Sequence, residues 1–348
     1  MTVGVTPFGR THDGRGVERI GLRRGDVAVD ILTYGGTIAS IRIPDRVVGE
    51  VDVVIGFDDL GGWLHDPQYF GSLVGRTANR IADGRFPLDG RTIEVDRGGK
   101  EHQLHGGPLG FDKAIWSAET FDDATGAGVR LGHVSPDGDQ GFPGTLSAAV
   151  TYTLDDESGL SIDYEAVTDA PTVVNLTNHT YFDLDGAGAV LEHELQLHAS
   201  SFLPVGDGTL PTGEITSVEG TPFDFRTPRR VGDRIGEDDP QLHVAGGYDH
   251  CWVIDGTPGR LRPGARLSTA DRWMTVETTQ PGVQFYSGNG IRPRIGRGGR
   301  RLGVHDGLCL ETQHFPDAPN QPSFPSIRLE RGATYRERTV FRFGWSGA

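Results

Sequence analysis

Apolar and polar side chains alternate with period two along much of this chain, and no long period-3.6 pattern accompanies them. That constrains the fold more than any other feature of the sequence. Residues 160–166 read Leu, Ser, Ile, Asp, Tyr, Glu, Ala, so every second side chain falls on one apolar face. Residues 149–154 repeat the pattern, and residues 155–159 supply a turn between them, which predicts a hairpin. Leu191, His193, Leu195 and Leu197 alternate with polar partners and predict a strand with one wet face. Further strands are expected at 27–31, 37–43, 129–134, 274–278, 283–286, 307–312 and 339–343. The segment 66–74 has room for a helical turn or two, limited by Pro67 and Gly71. Closely spaced strands without βαβ alternation predict an all-β fold, an antiparallel sandwich or barrel rather than a doubly wound sheet. The 52 glycines and 21 prolines suit its many turns.

A length of 348 residues leaves room for two domains of about 150 residues each. Large β-sandwiches exceed that size as single units, and no linker or repeat divides the chain, so one domain over 1–348 is expected. The 33 basic and 48 acidic side chains give a net charge of −15, which argues against nucleic acid and anionic membranes as partners. No stretch approaches the roughly 20 apolar residues of a membrane helix, and the first 20 residues lack the apolar core of a signal peptide. Cys251 and Cys309 are too few for a disulfide framework or a zinc site. A cytoplasmic protein, monomeric or homodimeric, is expected.

Four polar clusters interrupt the strand patterns. Arg76 and Arg80 flank Asn79 and could clamp the hydroxyls of a polar ligand through their rigid donor forks. His105 precedes Gly106 and Gly107, which permit close backbone approach. His102 and His105 have a metal-compatible spacing, but no third ligand stands nearby in sequence, and no metal is expected. His179, in a polar run from Asn175 to Phe182, is a candidate general acid or base. Glu311 follows Leu308 and Leu310 and is expected at a strand's end. The segment Gly247 to His250 adds Asp249. No G-x-S-x-G, HExxH, P-loop or strand-linked GxGxxG pattern occurs.

Taken together, six segments resemble the aldose 1-epimerase, or galactose mutarotase, family. They are GRTANRIADGRFPLDG (75–90), LHGGPLGFDKAIW (104–116), NLTNHTYFDLDG (175–186), GGYDH (246–250), GVQFYSGN (282–289) and LETQHFPDAPNQPSFP (310–325). The resemblance implies a galactose mutarotase-like supersandwich and a cofactor-free interconversion of the α and β anomers of a free aldose such as galactose or glucose. It implies Glu311 as general base and His179 as general acid, with Asn79, Arg80, His105, Asp249 and Gln284 holding the monosaccharide and Tyr181 lining the same site. Asp183 and Cys251 depart from the family's frequent asparagines, which puts packing and fine specificity there in doubt. Which imidazole serves the ring oxygen, His179 or His105, stays open.

Three rival readings share these residues. A glycoside hydrolase would pair Asp249 with Glu311 as its two carboxylates. A hexose-6-phosphate 1-epimerase would need a cationic pocket, for which Arg226, Arg229 and Arg230 are candidates. A non-catalytic carbohydrate-binding protein would bind sugar without accelerating any reaction.

Overall fold

The computed structural model describes residues 2–66 and 68–346. Strands dominate it, paired almost throughout in antiparallel ladders. A nine-stranded sheet is ordered Ser117–Asp123, Gly126–Ser135, Leu146–Leu154, Gly159–Thr168, Thr334–Trp345, Arg272–Thr278, Arg262–Ser268, Glu194–Leu197 and Arg229–Arg230. A six-stranded sheet is ordered Tyr181–Phe182, Leu308–Gln313, Gly282–Tyr286, Asp249–Val253, Ser201–Leu203 and Thr216–Ser217. The first five strands, from Thr2–Arg10 to Gly49–Asp52, form a meander of their own.

Alternation explains how the layers meet. In Gly159–Thr168, Leu160, Ile162, Tyr164 and Ala166 are all buried, and they join one apolar cluster with Val283, Phe285, Leu308 and Leu310 of the six-stranded sheet. Each large apolar side chain buried this way contributes about 1.5–3 kcal/mol. The expected hairpin is present, with Leu154 opposite Leu160. So are the other seven expected strands, most of them longer than the alternation alone indicated.

Three local expectations are corrected. The helical turn lies at Leu60–Leu64, ahead of 66–74, because the Asp59 side chain caps it by accepting from the Gly62 N–H. The strand expected from Leu191 starts only at Glu194, since Val190–Glu192 form a 3₁₀ turn. Glu311 is the fourth residue of Leu308–Gln313 rather than its end, and all six residues of that strand are buried. Among the described residues no helix is long and apolar enough to cross a membrane.

Candidate active site

The six-stranded sheet sets the floor of the site by register. Glu311 lies opposite Gln284, Gln284 opposite Cys251, Asp249 opposite Tyr286 and Tyr181 opposite Cys309. Alternating side chains on adjacent strands therefore converge on one patch. His179 enters between the short strands Thr177–Asn178 and Tyr181–Phe182, its backbone N–H donating to the Ser72 carbonyl and its carbonyl accepting from Gly71.

Residues 79–80 and 105 arrive from elsewhere. Arg80–Ile81 pairs with Gln103–Leu104, which seats His105 beside Asn79. A Cβ on Gly106 would meet the Gly75 carbonyl oxygen at 1.7 Å, so only glycine lets these two loops pack so closely. Asn79 occupies left-handed backbone space at φ 60°, a conformation asparagine tolerates better than most residues.

These elements enclose a cavity of about 180 Å³, lined by Gln68, Tyr69, Asn79, Arg80, Leu104, His105, His179, Tyr181, Asp249, Tyr286 and Glu311. Seven of the eight residues expected to touch the ligand are in that lining. The eighth, Gln284, reaches it through Asp249, its Nε2 donating to Oδ1 at 2.7 Å. Gln68, Tyr69 and Tyr286 line the cavity without having been singled out for it. Tyr286 falls inside a quoted segment, whereas Gln68 and Tyr69 lie in a loop without pattern. A larger, shallower hollow of about 660 Å³ on the nine-stranded sheet contains Arg130, Glu165 and Arg336. Both arginines are paired with Glu165 there, and His133, the imidazole in that lining, packs against the rings of Phe111 and Trp116.

Arg76 and Arg80 part company. Arg76 is 2% exposed and donates to Ser135 Oγ and to the carbonyls of Ser135, Pro136 and Pro143, away from the cavity. Arg80 stays at the site, bonded to Asn79 Oδ1 at 3.3 Å and 3.6 Å from Asp249 Oδ2. Arg226, Arg229 and Arg230 do not line the cavity, and Arg226 and Arg230 are paired with Asp224 and Glu192. Asp183 and Cys251 also lie outside the lining. Asp183 is buried against Arg300 at 2.8 Å.

Within the cavity an imidazole faces a carboxyl, with His179 Nε2 3.6 Å from Glu311 Oε1, both almost fully buried. Burial pushes the Glu311 carboxyl well above the usual carboxylate range, with Asp249 adding to the shift and Arg80 opposing it. Burial lowers His179 to about 4. With one proton between them, burial favours the neutral arrangement, carboxylic acid and neutral imidazole. Oε2 of Glu311 has no hydrogen-bond partner among the described residues, and a buried acceptor left in that state calls for a donor from a ligand.

His105 is held differently. Its Nδ1 accepts from the Asn79 backbone N–H at 3.1 Å. A backbone amide is always a donor, so the neutral ring carries its proton on Nε2. Protonating Nδ1 would set two N–H groups against each other, and burial also holds this imidazole well below its ordinary pKa. His102 does not join it, because its Nδ1 accepts from the Asp83 N–H.

His105, His179 and Glu311 offer ligand atoms within 4.8 Å of one another. They fit a metal poorly. A ligating imidazole presents a bare nitrogen and donates with the other, whereas His105 is fixed the opposite way round.

A single small cavity with an acid, a base, fixed donors and a carboxylate acceptor defines an acid–base catalyst for one polyhydroxylated molecule. Residues 18–342 match the aldose 1-epimerase family. Galactose mutarotase of Bos taurus is 43% identical over 342 residues, covering 97% of each chain. Aldose 1-epimerase of Escherichia coli is 37% identical over 95% of this chain and 96% of its own. The crystal structure of galactose 1-epimerase from Lactobacillus acidophilus superposes with a TM-score of 0.89 at 28% identity, covering 99% of both chains. The chain belongs to the aldose 1-epimerase family. It is an isomerase with aldose 1-epimerase activity.

Proposed function

We propose that the chain interconverts the anomers of galactose and glucose with Glu311 and His179 as its acid–base pair. Opening the hemiacetal requires the C1 hydroxyl to lose a proton while the ring oxygen gains one. Glu311 takes the hydroxyl proton, His179 delivers one to O5, the C1–O5 bond breaks and the C1 aldehyde forms. Rotation about C1–C2 presents the other face, and the ring closes with both transfers reversed. The neutral pair favoured by burial is the protonation pattern that ring opening leaves behind, and the ionised pair that starts the reaction is the less favoured arrangement of the closed complex.

His105 serves as a fixed neutral donor from Nε2, since giving up that proton would create an imidazolate. This leaves His179 as the acid. Arg80 and Asp249 supply a donor fork and an acceptor for sugar hydroxyls, with Gln284 orienting Asp249 and Asn79 orienting Arg80. Tyr181 backs the imidazole, its ring centroid 5.0 Å from that of His179. The observation that carries this reading is the buried His179–Glu311 pair facing a cavity sized for one sugar ring.

Contributions from Asn79 through Glu311 to one cavity support a single domain over 1–348. Two free, buried cysteines suit a reducing cytoplasm, and the −15 charge suits a protein that avoids nucleic acid and anionic membranes. We keep a monomer or homodimer as the assembly.

Polarimetry on freshly dissolved α-D-galactose and α-D-glucose tests the pair. Glu311→Gln and His179→Asn should each lose about 10²–10⁴-fold in rate. Near-wild-type rates in either variant would remove it from the mechanism. A methyl galactoside serves as the control, because only a hydrolase opens a locked acetal.

A further inference from the structure

Gln68 and Tyr69, in the loop that ends at Ser72, form part of the cavity that the acid–base reading leaves unused. Tyr69 lines the pocket with its backbone at φ 62°, a region that an aromatic side chain rarely enters and that clusters at functional sites. Several bonds hold the loop there. The Asp66 carboxylate accepts from the N–H groups of Gln68 and Phe70 at 2.8 and 2.7 Å. Arg294 donates to the same carboxylate at 2.9 Å and to Gln68 Oε1 at 2.7 Å. Lys113 Nζ donates to the Asp66 carbonyl at 3.1 Å and stands 5.7 Å from the centre of the Tyr69 ring.

These restraints press the Tyr69 ring against both imidazoles. Its centroid is 4.7 Å from that of His105 at an interplanar angle of 64°, and 5.8 Å from that of His179 at 31°. The two histidines need this contact unequally. His105 is already oriented by the Asn79 N–H. The Nδ1 of His179 lies 3.5 Å from Cys309 Sγ, and a thiol is a weak partner. The last torsion of a histidine is broad and roughly two-fold, so a weak polar tether leaves its ring angle to packing. Acid–base histidines are usually aimed by a third group. Here two phenol rings, Tyr69 and Tyr181, occupy that place. Their electron-rich faces also suit the imidazolium that the acid role requires.

We propose that Tyr69 is a positioning residue whose ring, held in place by Asp66, Arg294 and Lys113, fixes the angle of the His179 imidazole toward Glu311 and the sugar's ring oxygen. The proposal rests on His179 acting as the acid.

Steady-state kinetics on Tyr69→Phe and Tyr69→Leu, each alone and combined with His179→Asn, test it. Tyr69→Leu should lower kcat about 10–100-fold with little change in KM, because small misplacements of a reacting group cost this much. Tyr69→Phe should restore near-wild-type kcat. Adding Tyr69→Leu to His179→Asn should cost nothing further, since the two changes act through one group. A wild-type kcat in Tyr69→Leu overturns the proposal. So does an equal loss in Tyr69→Phe, which would assign the effect to the hydroxyl, or a full additional loss in the double variant. If His179→Asn alone keeps its rate, the acid role fails, and the single Tyr69 variants identify that failure separately. Thermal melts accompany the assays, and Tyr69→Met carries the same expectations should Tyr69→Leu not fold.

Discussion

The Asn79 backbone N–H points at Nδ1 of His105 at 3.1 Å, and this one bond decides what the imidazole can be. It makes His105 a neutral donor, separates its role from that of His179 and spoils a three-ligand cluster that otherwise resembles a zinc site. Zinc at micromolar concentration should therefore leave the mutarotation rate unchanged and give no binding heat near neutral pH. Tight, stoichiometric zinc inhibition would show that His105 turns over and that the bond does not hold it.

The dependence of kcat/KM on pH should be unusual for a histidine enzyme. A second proton on the pair blocks Glu311 as base, and His179 accepts that proton only near pH 4. The acid limb should fall at about 4 rather than near the ordinary imidazole value of about 6.5. On the alkaline side activity falls as the raised Glu311 carboxyl loses the shared proton. An acid limb at the ordinary histidine value would contradict the burial argument.

His250 gives a stability prediction separate from catalysis. It is buried against the rings of Phe223 and Phe202, its Nδ1 accepts from the Asp249 N–H, and burial lowers its pKa to about 3. The unfolded chain binds this proton near pH 6.5 and the native one does not, so stability falls as pH drops between those values. At about pH 4 the loss should approach 3 kcal/mol. Urea melts should show a smaller difference between about pH 7 and pH 4 in His250→Asn than in the wild type.

Arg76 and Arg80 should separate stability from binding. Arg76→Lys leaves buried carbonyls and a hydroxyl without their fork, so it should cost about 2–4 kcal/mol in thermal melts while KM holds. Arg80→Lys should melt like the wild type and raise KM about 10-fold or more.

That pair also marks how far the sequence could be read. The two arginines sit four residues apart in one motif, and nothing local distinguishes them. What does is a turn at residues 135–143, which closes over Arg76 and not over Arg80. The hairpin at 146–168 was legible because one face is buried and period two records it directly. That Glu311 and His179 share one cavity was legible through family motifs, although the expected strand end at Glu311 was not what formed. Tyr69 was not legible at all. Its place depends on a left-handed backbone and on Lys113 and Arg294, residues far away in sequence that no periodicity connects to it. The helix at Leu60–Leu64 carried its signal in Asp59, with Leu60, Trp63 and Leu64 at helical spacing, but five residues are too short for a period to stand out.

The strand Thr334–Trp345 comes after all the others in sequence, yet it stands in the middle of the nine-stranded sheet, between Gly159–Thr168 and Arg272–Thr278. A ribosome making this chain delivers the keystone last. Until then the growing sheet is two halves, each with an open edge that another chain can pair with. Closing them joins segments more than a hundred residues apart, a slow step for any polypeptide. Synthesis that stalls before Thr334 would therefore leave an aggregation-prone pair of half-sheets rather than a slightly shortened enzyme.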